Sequence, residues 1–191
     1  MKVLITGSNG QLGKALIDSS INFFDKKELD IITPKRKELD LSNLENCKSF
    51  IQKIRPDWII NAAAYTLVDK AEESCQLASL INSFAPKVFA EVLYESGGNL
   101  LQVSTDYVFQ GNVAKAYQIQ DERNPINVYG KTKLLAEQYI ESLLVPYDQG
   151  TIIRTSWLVA PEGNNFVLKV LNLQEKKDLI RIVDDQISSP T

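Results

Sequence analysis

The chain has 191 residues, 44% hydrophobic and 24% charged, with a formal net charge of −3, the profile of one sizeable globular domain. That balance leaves no nucleic-acid footprint, no apolar run approaches the roughly 20 residues of a membrane span, and MKVLITG runs into glycines rather than a signal peptide's cleavage site. No histidine occurs, which removes histidine relays and histidine metal sites, and Cys47 and Cys75 lack metal-type spacing. A reduced, cytoplasmic setting with no metal is therefore expected. Acid–base chemistry falls to Tyr, Lys, Asp, Glu or Cys.

Lys2 to Thr6 is a short β-branched run, read as a buried strand. Gly7-Ser8-Asn9-Gly10-Gln11-Leu12-Gly13 follows at once and leads into a helical pattern through Leu16 and Ile17. Strand, glycine turn and helix is the setting that a dinucleotide fingerprint requires, with phosphates at the helix N-terminus. Gly7 would make the tight turn, Gly10 would let the backbone approach a pyrophosphate, and Gly13 would permit close helix–strand packing. The spacing is Gly-x-x-Gly-x-x-Gly, and an ordinary glycine loop is the alternative. Leu29 to Thr33 is the second strand. It ends on Lys35, Arg36 and Lys37, where an NAD-selective site would carry a carboxylate. Three cations suit a 2′-phosphate, hence NADPH at least as well as NADH, or else form a solvated basic loop. Asp40-Leu41 opens the next turn, with Ser42 expected to cap a helix over Leu44 to Ile54.

Arg55-Pro56-Asp57 breaks that helix, and Trp58-Ile59-Ile60 is the third strand, running into Asn61-Ala62-Ala63-Ala64-Tyr65. Three alanines at a strand's carboxyl end make sense where a flat ligand lies against backbone. A helical region is expected from Val68 to about Glu95, broken or kinked at Pro86 and ended by Gly97-Gly98. Asn99 to Ser104 is the fourth strand, which puts Thr105-Asp106 at the sheet edge where ligands bind in doubly wound folds. A polar loop over Gln110 to Asn124 precedes Tyr129-Gly130-Lys131-Thr132-Lys133, which heads a helix to about Glu141. Tyr129 and Lys133 then share one helix face, one turn apart. A cation there would lower the phenol's ordinary pKa near 10 and make a proton relay for carbonyl reduction, although Tyr-x-x-x-Lys also occurs as a plain surface pair. Thr151 to Thr155 is read as the fifth strand, Asn164-Asn165-Phe166 as the start of a helix through Leu173, and Leu179 to Val183 as a sixth strand. Strands alternating with helices predict a Rossmann-like doubly wound parallel sheet with helices on both faces, residues 1–191 forming one dinucleotide-binding domain.

The motifs GSNGQLG, NAAAYTLVDKAE, STDYVF, YGKTK, RTSW, GNNFV and VDDQISSPT, in this order, resemble the dTDP-4-dehydrorhamnose reductase branch of the extended short-chain dehydrogenase/reductases. The resemblance covers essentially the whole chain. It implies an NAD(P)H-dependent oxidoreductase that makes dTDP-L-rhamnose, a nucleotide sugar for cell-surface polysaccharide. It assigns Tyr129 and Lys133 as catalytic and Thr105 and Asp106 as catalytic and substrate-facing, with Trp157 lining the sugar-nucleotide site. Gly7, Gly10, Gln11, Leu12, Gly13, Arg36, Asp40, Leu41, Ala62, Ala63, Ala64 and Tyr65 would hold the cofactor together with Tyr129 and Lys133. The chain departs from the family at Gln110, where members commonly carry Asp, and at Ser188, where they carry Gly. Members usually continue for about a hundred residues past the Pro-Thr here, which supply much of the substrate lobe and a homodimer surface. The resemblance also admits a non-catalytic relative, such as the regulatory β subunit of methionine adenosyltransferase. An intact Thr105, Tyr129 and Lys133 favours the enzyme.

Overall fold

The computed structural model of the chain describes residues 1–23, 29–163, 165–176 and 179–191, without the side chains of 21–23. Its strands are β1 (Lys2–Thr6), β2 (Asp30–Ile32), β3 (Trp58–Asn61), β4 (Asn99–Thr105) and β5 (Gly150–Thr155). They form one sheet in the order β2-β1-β3-β4-β5, and every pairing is parallel. Val3, Leu4 and Ile5 are all buried, as a strand covered on both faces requires. The helices are α1 (Gln11–Phe23), α2 (Leu44–Ile54), α3 (Val68–Glu73), α4 (Cys75–Ser79), α5 (Ala85–Ser96), α6 (Val128–Leu143) and α7 (Phe166–Gln174). The architecture is Rossmann-like, and the strand order reverses between β1 and β3. That reversal opens a crevice at their carboxyl ends.

The apolar core joins Leu4, Ile59 and Leu100 of the sheet to Cys47 and Ile51 of α2, Phe89 and Leu93 of α5, and Ile140 of α6. Near the carboxyl ends of the strands the core turns polar. Thr6 Oγ1 donates to Asn61 Oδ1 at 2.5 Å, and Asn61 Nδ2 donates to Gln102 Oε1 at 2.7 Å. All three side chains are buried and stand in register across β1, β3 and β4. The ladder ends where Gln102 Nε2 donates to the Val103 carbonyl at 2.8 Å.

Three expectations need correction. Leu179 to Val183 forms no strand. Among the described residues the tail's link to the sheet end is a bridge between Trp157 and Pro190, and Thr191 N donates to Trp157 O at 2.8 Å. A strand needs a partner edge, and Leu179, Ile182 and Val183 of this stretch stay exposed. Asn43, not Ser42, caps α2, because its side chain accepts from Asn46 N; Ser42 instead donates to Asp40 Oδ1. The 68–95 region divides into α3, α4, a π-helical turn over Leu80–Phe84, and α5. Pro86 sits in the first turn of α5, where its missing N–H costs nothing. Asn164 lies outside the described residues, and Asn165 caps α7.

The π-helical turn widens the backbone and turns Asn82 inward. Asn82 Oδ1 accepts from Tyr65 N at 2.7 Å, while its Nδ2 donates to Tyr65 O and Thr132 Oγ1, each at 3.1 Å. One side chain thus ties the end of the alanine stretch to α6. Removing it strands the half-buried N–H and C=O of Tyr65, each worth about 1–3 kcal/mol when unpaired. Asn82→Ala is expected to lower the urea-unfolding free energy by about 2–3 kcal/mol. A loss below about 0.5 kcal/mol, the range of ordinary surface changes, would contradict this account.

Candidate active site

The glycine turn stands at the carboxyl end of β1, before α1. Gly7 has φ +69°, a left-handed conformation that strains any other residue, and Gly10 N donates to Gly7 O at 2.8 Å to close the turn. A Cβ on Gly7 would lie 2.8 Å from the backbone of Ala62 and Ala63, and one on Gly13 would lie 2.2 Å from Gly7 O. Loop, helix and β3 end are therefore packed backbone on backbone. A cleft of about 260 Å³ lies over this turn, lined by Thr6 to Gly10, Ala63 and Ala64, and by Arg36, Asp40 and Leu41. The cradle, its small strand-end residues and the adjoining N-terminus of α1 fit a dinucleotide.

The other cofactor candidates divide. Ala62 packs behind Gly7 and does not line the cleft, and neither do Leu12, Gly13 or Tyr65. Gln11 turns away: its Nε2 donates to Leu158 O at 2.9 Å and its Oε1 accepts from Asn165 Nδ2 at 2.9 Å. Of the three cations after β2, Arg36 borders the cleft and Lys35 and Lys37 are exposed without lining it. Asp40 takes hydrogen bonds from the Ser42 hydroxyl and amide, which hold its carboxyl below the usual range, and Arg36 lies 4.0 Å away.

Thr105 ends β4, and a short 3-10 turn over Asp106–Val108 follows, its Tyr107 amide donating to the Thr105 hydroxyl oxygen. Helix α6 approaches this turn closely. A Cβ on Gly130 would lie 2.2 Å from Tyr107 O, so only glycine allows the contact, and the Asn127 side chain caps the helix through Gly130 N at 2.7 Å. This approach brings the Tyr129 phenol into hydrogen-bonding reach of the Thr105 hydroxyl. Tyr107 meets Tyr129 edge to face, with centroids 5.8 Å apart. Asp106 Oδ1 accepts from Thr105 Oγ1 at 3.1 Å, and Oδ2 accepts from Ser156 at 2.8 Å and Ser188 at 3.1 Å. Trp157 lies beyond Ser156, partly exposed, against Phe166 at 5.1 Å.

The expected effect of Lys133 on the phenol is not what the structure contains. Burial pushes Tyr129 up to about 12, the Thr105 hydrogen bond pulls the other way, and Asp106 and Tyr107 add to the rise. Lys133 is 2% exposed, and its Nζ donates to the Val103 carbonyl at 2.6 Å. Spacing put both residues on one helix face, but the buried ammonium takes the Val103 carbonyl, which Gln102 Nε2 also uses. Burial lowers Lys133 to about 8, against the Glu137 carboxylate one turn on, so it remains charged at neutral pH.

Sequence reasoning missed Asn82, Glu137, Arg123 and Arg154. Glu137 is fully buried and accepts from Arg154, Arg123 and Ser104. Its one sequence signal is its place in the i, i+4 stripe of Tyr129 and Lys133. Among the described residues, no cluster of His, Cys, Asp or Glu is arranged to hold a metal, and no helix is long and apolar enough to cross a membrane.

These shifts fix the alkaline stability curve. The unfolded chain keeps the Lys133 proton to about 10.5 and the folded chain releases it near 8, so stability rises with pH between the two. Tyr129 holds its proton to about 12 when folded and loses it near 10 when unfolded, so stability falls above pH 10. Cys47, which burial pushes up to about 12, loses its proton near 9 when unfolded and so opposes this gain, and the Lys133 share is read as a difference: from pH 8 to pH 10 the wild type should gain about 2 kcal/mol in urea unfolding relative to Lys133→Met. An equal change in both proteins would mean that Lys133 titrates normally.

Residues 1–191 match the family model described as the RmlD substrate binding domain. The dTDP-4-dehydrorhamnose reductase of Salmonella typhimurium is 37% identical over 193 residues, covering 100% of this chain and 62% of that protein. The crystal structure of a dTDP-4-dehydrorhamnose reductase from Clostridium acetobutylicum superposes with a TM-score of 0.91 at 39% identity, over 100% of this chain and 65% of that one. A reductase of the same name from Bacillus anthracis, solved in complex with NADP, gives a TM-score of 0.89 at 40% identity, again over 100% and 65%. The chain thus spans a little under two thirds of these relatives. With a match from end to end, the chain belongs to the family of the RmlD substrate binding domain.

Proposed function

We propose that this chain is the dinucleotide-binding part of a cytoplasmic reductase that converts the 4-keto group of dTDP-4-dehydrorhamnose to the alcohol of dTDP-L-rhamnose. One observation carries the reading: the Tyr129 phenol, held protonated by burial, lies beside the Thr105 hydroxyl at the same sheet edge as the glycine cradle. The names of the relatives and the NADP in the Bacillus anthracis structure support the same reaction. NADPH, or NADH in its place, supplies the hydride when bound along Gly7, Gly10, Asp40, Ala63 and Ala64, with Arg36 toward the 2′-phosphate.

The chain's own residues then handle the oxygen. An alkoxide is more basic than a phenolate, so a phenol of pKa about 12 gives up its proton as the alkoxide forms and remains protonated beforehand at neutral pH. The Thr105 hydroxyl donates to the same oxygen as charge develops. Lys133, fixed on Val103 O and still cationic, stands one helix turn from Tyr129 as the fixed positive charge of the site. Asp106, with Ser156 and Ser188 on its outer oxygen, and Trp157 beyond them face the sugar nucleotide. A carboxyl-terminal lobe of the length the relatives have completes the substrate site and a homodimer surface.

Two measurements test this reading. In a form of the protein with that lobe, Tyr129→Phe should lower turnover of dTDP-4-dehydrorhamnose by about 100- to 10,000-fold with cofactor affinity nearly unchanged. Wild-type turnover in the variant would end the relay and favour a regulatory, non-catalytic role. For the cofactor, NADPH should bind at least as tightly as NADH, with Arg36→Ala weakening NADPH alone by about tenfold. A preference for NADH that Arg36→Ala leaves untouched would reduce the cations after β2 to a solvated loop.

A further inference from the structure

Glu137 is 0% exposed, yet it is ionised and fully paired. Its Oε1 accepts from Ser104 Oγ at 2.5 Å and Arg154 Nε at 2.9 Å, and its Oε2 accepts from Arg154 Nη2 at 2.8 Å and Arg123 Nη1 at 2.9 Å. Burial alone would raise its proton affinity, but the hydrogen bonds from Arg154, Ser104 and Arg123 outweigh it and leave the pKa lowered. Each donor comes from a different stretch. Ser104 immediately precedes Thr105 on β4, Arg154 lies two residues before Ser156 on β5, and Arg123 sits in the 109–127 loop. That loop is tied further to Arg154, whose Nη1 donates to Ile119 O at 3.1 Å and whose guanidinium lies 5.1 Å over the Phe109 ring.

We propose that Glu137 is a positioning residue for the reaction: its carboxylate is the common tie that draws β4, β5 and the 109–127 loop onto α6 and so sets the Thr105 hydroxyl against Tyr129 and Lys133. The proposal rests on the reading of those three residues as the reacting groups. Tyr129, Lys133, Glu137 and Glu141 fall at i, i+4 steps along one face of α6, so the tie lies one turn beyond Lys133. Arg123 also forks onto Glu141 at 2.7 and 2.9 Å, so two guanidiniums and two carboxylates balance in the cluster. Around Lys133 the charge that bears on it is Glu137, on its own helix; Arg154 of β5 and Arg123 of the loop are both paired to Glu137, and Asp106 of the 3-10 turn bears on Tyr129. A tie that merely holds the fold together would cost thermal stability and leave kcat of the folded variant alone, whereas a tie that sets Thr105 against Tyr129 lowers kcat.

The test compares Glu137→Gln, which keeps shape but drops charge, with Glu137→Asp and with Arg123→Met, a milder cut at the partly exposed end of the network. The first readout is the NMR titration of the Lys133 ammonium in the ligand-free chain. Glu137→Gln should move it down by on the order of one pH unit, and Arg123→Met, which frees negative charge on Glu137, should move it up. The second readout is kinetics in the longest natural form of the protein. Glu137→Gln should cut kcat by about tenfold or more with KM within about threefold, and Glu137→Asp should recover part of the loss. If Glu137→Gln does not fold, the opposite shift in Arg123→Met still supports the proposal, and its absence overturns it. Folded variants that lose thermal stability while kcat stays within about threefold of wild type also overturn it. Absence of turnover in the wild type would instead sink the reductase reading, and the ligand-free titration reads Glu137 independently of that result.

Discussion

How near one stretch of backbone comes to another decides everything else at this sheet edge. A Cβ at Gly13 would lie 2.2 Å from Gly7 O, one at Gly7 would lie 2.8 Å from Ala62, and one at Gly130 would lie 2.2 Å from Tyr107 O. Side chains can change rotamer to relieve a clash, but backbone packed on backbone has little give. The distances between α1, the ends of β1 and β3, and the start of α6 are thus set by what is missing from three residues. A parallel sheet then does the gathering. Its strands all end on one side, so the glycine cradle, the alanine stretch, Thr105 and Ser156 arrive at one edge without further design.

Charge is buried along α6 in two contrasting ways. Lys133 is held by one carbonyl, Val103 O, and its ammonium is destabilised to about 8. Glu137 sits one turn on with donors on both oxygens, and its carboxylate is stabilised although it too is buried. The difference is hydrogen-bond count, since desolvation opposes both. Under-satisfied charge suits a group that responds to what binds beside it, whereas saturated charge suits a fixed tie. The phenol of Tyr129 stands at the first end of this gradient, protonated and one hydrogen bond from Thr105.

Much of this was legible in the sequence because it follows from local chemistry. The β-branched run of β1 and the glycines after it gave strand and cradle, and the 128–143 helix was anticipated over most of its length. Thr105, Asp106 and Tyr129 come together as their positions at strand and helix ends imply. What escaped depends on partners distant in the chain. Apolar periodicity at Leu179 to Val183 looks the same whether or not a neighbouring strand exists, and here those residues form no strand. Spacing placed Lys133 on the face of Tyr129 but does not say which acceptor an ammonium chooses. The π-helical turn at Leu80–Phe84 adds a residue that no 3.6-residue period anticipates, and Asn82 points inward because of it.

The polar ladder gives the same lesson at larger scale. Toward the amino ends of the strands the sheet is held by the apolar contacts of Leu4, Ile59 and Leu100. Apolar packing is not directional. Thr6, Asn61 and Gln102 are directional, and a slip of one residue in β3 would turn Asn61 to the other face and break two hydrogen bonds at once. The last member of the ladder shares the Val103 carbonyl with Lys133, so the register of three strands is bonded to the same oxygen that fixes the lysine. Both lone pairs of that carbonyl are then in use. Strand register and lysine position are therefore one constraint, which explains why amides replace apolar side chains at the edge where the chemistry is proposed.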